Sequence, residues 1–88
     1  MIVLIDKSLE KDVKKNSDTN LNKQLYKVIL EIQKATNISE LHNLKKLQGT
    51  QNYYRIRIGD YRLGLIINGN KVELIRLLHR KEIYRFFP

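Results

Sequence analysis

The sequence predicts an α+β fold in which two helices cover one face of a four-stranded sheet. Three observations carry that expectation. Leu21, Leu25, Val28, Ile32 and Ala35 recur at i, i+4, i+7, i+11 and i+14, the spacing of one helix face, and Ile29 widens the stripe. The string NYYRIRIGDYR, Asn52 to Arg62, alternates with the period of a two-faced strand and breaks at Gly59-Asp60. Asn68-Gly69 then supplies the strongest short-range hairpin signal in the chain.

In order along the chain, Ile2 to Ile5 is an apolar run with β-branched residues and reads as a buried first strand. Ser8 is placed to cap a short helix in which Leu9 and Val13 share a face. The polar break NSDTN, Asn16 to Asn20, offers Ser17 or Asp18 as the cap of the striped helix. Thr36-Asn37 ends that helix, and Ser39 caps one further turn through Leu41 and Leu44. Three strands follow: the two arms of the Gly59-Asp60 hairpin, then Val72 to Leu78. Arg80 to Phe86 forms a closing helical turn stopped by Pro88. With no repeat, linker or low-complexity tract, residues 1–88 read as a single domain.

Composition excludes several classes. A chain of 88 residues buries roughly 60–65% of its unfolded surface, which gives a modest core. There is no cysteine, hence no disulfide framework and no thiolate metal site, as suits a reducing cytoplasm. The opening MIVLI is too short for a signal sequence. No apolar run nears the roughly 20 residues of a membrane span, so a soluble protein with no membrane partner is expected.

The net charge of +8 is unevenly distributed. Residues 1–41 carry seven lysines against six carboxylates, whereas residues 42–88 carry ten basic residues against three. All six arginines (Arg55, Arg57, Arg62, Arg76, Arg80 and Arg85) lie in that second half. Arginine suits planar, bidentate contact with phosphate, so the segregation points to a phosphate-bearing partner.

With Gly59 and Asp60 as the loop, Ile58 faces Tyr61, Arg57 faces Arg62, Ile56 faces Leu63 and Arg55 faces Gly64. One face then holds Ile56, Ile58, Tyr61 and Leu63, with Tyr61 read as core; the other holds Arg55, Arg57 and Arg62. Like charges opposed across strands destabilise a sheet, and a polyanion over that face relieves them. The last strand stays open. With Asn68-Gly69 alone as the loop, Ile75, Leu77 and His79 join Arg62; a three-residue loop closed by a bulge brings Arg76, Leu78 and Arg80 instead.

YRIRIGDYRLGLI, followed by the NG turn and HRKEIYR, resembles the RelE/ParE superfamily of bacterial toxins from toxin–antitoxin pairs. The resemblance covers roughly residues 44 to 85 by motif. It implies a twisted, mainly antiparallel sheet, a cognate antitoxin and a heteromeric toxin–antitoxin complex. The RelE branch cuts mRNA on the ribosome with basic residues and a tyrosine and no metal; the ParE branch poisons DNA gyrase. On this resemblance Arg55 and Arg57 match the basic strand before the turn, and Arg62 the G-x-YR element. His79 and Arg80 match the HR element and Tyr84 the closing-helix tyrosine, which favours the nuclease branch. Two departures stand out: only four residues follow Tyr84, and no helical carboxylate matches the base of some relatives.

Metal-free RNA cleavage activates a 2′-hydroxyl, stabilises a phosphorane and protonates the leaving 5′-oxygen. Arg62 and Arg80 are assigned to the phosphate; His79 and Tyr84 divide the acid and base roles, in an order left open. Arg55, Arg57, Lys45, Lys46 and Tyr53 are the candidate RNA contacts, with no cofactor or metal and with ribosome and mRNA as partners. Competing structural roles stand beside these: Tyr53 packs rather than stacks, His79 merely ends a strand, and Tyr84 seats Phe86 and Phe87. Beyond the nuclease, a gyrase inhibitor and a non-catalytic RNA- or antitoxin-binding module remain as readings.

Overall fold

Period-two alternation in the C-terminal half and the helical stripe before it meet across one sheet in the computed structural model, which describes residues 1–88. The strands are β1 (Ile2–Ile5), β2 (Leu44–Lys46), β3 (Tyr53–Ile58), β4 (Tyr61–Asn68) and β5 (Lys71–His79). The helices are α1 (Lys7–Lys15), α2 (Thr19–Lys34) and a last turn, α3 (Ile83–Phe86). Sheet order is β1-β5-β4-β3-β2; β1 runs parallel to β5 and every other pair is antiparallel.

The sheet therefore has five strands where four are expected. The extra one is β2, three residues long, in the stretch read as a helical turn through Leu44. Asn37, not Ser39, caps the short 3-10 turn Ile38–Glu40, and the chain then pairs with β3. Such a strand is too short to show a period, and its lysines blunt the sheet edge. At the opposite edge β1 is less buried than its composition suggests: Ile2, Leu4 and Ile5 are about half exposed because only β5 flanks them. Asp6, rather than Ser8, caps α1, and the Ser8 backbone N–H holds its carboxyl below the usual range. Asp18 caps α2 as expected, accepting from the N–H groups of Asn20 and Leu21.

The main core lies between the helices and one sheet face. Leu21, Leu25 and Ile32 from α2 and Leu9 from α1 meet Ile56, Ile58, Leu63, Leu65, Ile67, Val72, Leu74 and Leu77, all buried. Tyr61 packs against this cluster, as read from the hairpin. A second, smaller core forms on the far face, where α3 seats Ile83 and Phe87 against Leu47, with Tyr53, Ile75 and Leu78 around them. Gly64 makes that seat possible: a Cβ there would lie 2.7 Å from the Phe87 ring.

The hairpin register is the expected one, with Arg57 opposite Arg62 and Arg55 opposite Gly64. The last strand follows neither expected loop, although Arg76 and Leu78 join the face of Arg62 as in the bulged alternative. Its turn is Gly69-Asn70, because Asn68 pairs with Lys71, and the irregularity sits mid-strand, between Gly64 and Leu65 on β4, skipping Ile75. Beyond it Leu78 pairs with Arg62 and His79 with Tyr61. Past Ile5 the edge of β5 has no strand partner, and Asp12 of α1 covers it. Its carboxylate accepts from Arg76 at 2.8 and 3.1 Å and from the Leu77 N–H at 3.0 Å. This is the only ion pair in the chain, and it raises the Arg76 guanidinium pKa.

Substitutions at two positions test these supports in urea unfolding. Gly64→Ala is expected to destabilise by about 1–3 kcal/mol through overpacking against Phe87; an unchanged midpoint would show that the ring does not depend on the missing Cβ. Asp12→Ala is expected to cost about 1–3 kcal/mol, since it strands the Leu77 N–H and a guanidinium. Asp12→Asn should recover part of that loss, and equal losses in both would remove the strand-edge contact from the account.

Candidate nucleic-acid interface

Alternation fixes what projects from β3 and β4 on the face opposite α1 and α2: Arg55, Arg57 and Arg62, as expected. Lys45 of β2 pairs with Arg55 and extends the row to the sheet edge. The Arg80 backbone N–H donates to the Asp60 carbonyl at 2.8 Å, which ties the end of β5 to the hairpin turn.

Arg62 is the half-buried centre of the group. Its Nη1 donates to the carbonyls of Gly59 and Tyr61, each at 2.9 Å, which orients the guanidinium. Burial first, then the positive charges of Arg55, Arg57 and Arg80, hold its pKa below the ordinary arginine value, while Tyr84 opposes them. It remains a cation at neutral pH. None of the four arginines has a carboxylate within ion-pairing distance, in contrast to Arg76. Arg76, counted in the sequence among the phosphate-seeking arginines, is committed to Asp12.

Tyr84 joins them from α3. Its hydroxyl accepts from Arg55 Nε at 3.3 Å, and its side chain is exposed. A helix of one turn holds a tyrosine this way because the next anchor, Phe87, is 2% exposed under Gly64. The brevity of α3 is thus offset by the second core.

Three expected members are placed differently. His79 lies on the opposite face: it pairs with Tyr61, packs edge-on to that ring at 5.6 Å, and its Nδ1 accepts from the Lys81 N–H. The irregularity in β5 causes this, since it sends Leu78 rather than His79 to the face of Arg62. Sharing proton transfer between His79 and Tyr84 is therefore at odds with the geometry. Tyr53 is half-buried with its ring 5.5 Å from that of Phe87, so it packs on the second core. Lys46 pairs with Tyr54 and leaves the strand on the helix side by alternation, although it borders the groove beside Tyr84. No group of three or more His, Cys, Asp or Glu residues is arranged to hold a metal ion, and no helix is long and apolar enough to cross a membrane.

Known proteins share this fold. The family model for the ParE toxin of the type II toxin–antitoxin system, parDE, matches residues 3–84. Toxin RelE3 of Methanocaldococcus jannaschii is 40% identical over 89 residues, covering all of both chains. Among solved structures, the RelB–RelE antitoxin–toxin complex from Methanococcus jannaschii superposes with a TM-score of 0.81 at 38% identity, over 97% of this chain and 99% of that one. The archaeal RelE–RelB complex from Pyrococcus horikoshii shares the fold, with a TM-score of 0.71 at 23% identity over 90% and 93% of the two chains. An α+β domain with this sheet, this basic face and these relatives belongs to the RelE/ParE superfamily of type II toxin–antitoxin toxins.

Proposed function

We propose that this toxin is a metal-independent, ribosome-dependent endoribonuclease that cuts mRNA by attack of a 2′-hydroxyl on the adjoining phosphate. The observation that carries the reading is the group formed by Arg62 with Arg55, Arg57 and Arg80, with Tyr84 bound to Arg55 and no carboxylate counter-ion. Positive charge aimed at a phosphorane is the largest catalytic contribution available to such a site. Arg62, held by two carbonyls, and Arg80 face the scissile phosphate; Arg55 and Arg57 grip it or its neighbours. Tyr84 is the proton donor to the leaving 5′-oxygen, and the proton of the attacking 2′-hydroxyl passes to solvent water. Because its oxygen accepts from Arg55, its own hydrogen is left free for the substrate. The products then carry a 2′,3′-cyclic phosphate and a 5′-hydroxyl.

The partner in the cell is a cognate antitoxin. Support comes from the solved relatives, which are RelB–RelE complexes, and from the net charge of +8, which favours an acidic partner segment. A second reading, inhibition of DNA gyrase, is favoured by the name of the matching family model.

Primer extension on translating ribosomes separates the two. Codon-phased cuts are expected for the nuclease, and intact messages with gyrase-dependent double-strand breaks would establish the other reading. Tyr84→Phe and Arg62→Ala should each slow cutting by about 10²–10⁴-fold with the fold retained by circular dichroism. His79→Ala, on the face that α1 and α2 cover, should cut within a few-fold of wild type. Wild-type rates in Tyr84→Phe would remove the proposed acid.

A further inference from the structure

The groove beside Tyr84, of about 530 Å³, opens between the segment after β2 and the end of α3. Leu47 and Phe87 give it an apolar floor, and Lys45 stands at its rim. The segment above it is a fixed turn. The Thr50 N–H donates to the Leu47 carbonyl at 3.3 Å, and Gly49 at the third position has φ +75°, the conformation a type II turn demands there. The Thr50 hydroxyl also donates to the Leu47 carbonyl, at 2.7 Å. Gln48, at the second position, lines the groove, is exposed and has its amide unengaged by the protein.

We infer that this groove receives the base of a nucleotide adjoining the scissile phosphate, and that the Gln48 amide reads its edge; the inference rests on the ribonuclease reading. Three features select this occupant. The groove shares Tyr84 with the arginine face, so a strand whose phosphate lies on Arg62 and Arg55 has a neighbouring base within reach of it. Its volume falls in the range of small-ligand sites, about 300–1,000 Å³, and its floor is apolar as a base face requires. Lys45, across from Arg55, carries the basic row along the rim toward the next phosphate. A glutamine amide sets an acceptor beside a donor, the complement of the adenine N6/N7 edge. Gln48 is thus a specificity residue, not a catalytic one.

Cleavage of ribosome-bound mRNAs that differ at one codon position, each position in turn, tests this. Wild type should favour adenine at one position by roughly 10-fold or more. Gln48→Ala should bring the four nucleotides within about 3-fold of one another. Gln48→Glu, whose carboxylate accepts from the cytosine N4 amine, should move the preference toward cytosine. Lys45→Ala should slow all four alike. Unaltered ranking and spread in both Gln48 variants, with unchanged melting temperature, would overturn the inference and leave the nuclease reading intact. Intact messages with wild-type protein would overturn that reading, and this inference with it.

Discussion

Two like-charge pairs stand directly across from one another on the sheet face opposite α1 and α2: Lys45 opposite Arg55, and Arg57 opposite Arg62. Each opposition costs up to about 1 kcal/mol, and no carboxylate relieves it. The register survives because the other faces of the same residues' neighbours are committed. Ile56, Ile58 and Leu63 are each no more than 5% exposed against the helices, and a one-residue slip would drive the arginines into that core. Burial on one side of the sheet thus holds mutually repelling charge on the other. Such a face is poised for a phosphate backbone, which supplies the missing counter-charge.

The small second core does for Tyr84 what the main core does for the arginines. Ile83, on α3 beside Tyr84, is fully buried, and Phe87 closes over Gly64, the residue opposite Arg55. One missing side chain on β4 therefore admits the ring that anchors α3 and brings the phenol to the guanidinium. The same ring floors the neighbouring groove, so the site and its flank share a single support.

Legibility in the sequence followed the range of the contacts. The hairpin could be read residue by residue because a two-residue loop and two alternating runs leave one register. The α2 stripe was equally plain: Leu21, Leu25, Ile32 and Ala35 are buried. The face of β5 was not, because Asp12, 64 residues from Arg76, covers the strand just where its pairing shifts. His79 was misplaced for the same reason. The three residues of β2 owe their strand to β3 and carry no period of their own. Gly64 within an otherwise apolar strand was a readable sign of close approach, although nothing local names Phe87 as what approaches.

The central claim is that charge repulsion on this face is tolerated for the sake of an anionic partner, and Arg57→Gln measures both halves at once. Arg57 is exposed and makes no side-chain hydrogen bond, so little packing is lost with its charge. The variant should unfold at a higher urea midpoint, by about 0.2–1 kcal/mol. It should also bind ribosomes more weakly, with a shallower dependence of affinity on salt. A variant less stable than wild type, or one with undiminished affinity and salt dependence, would contradict the account.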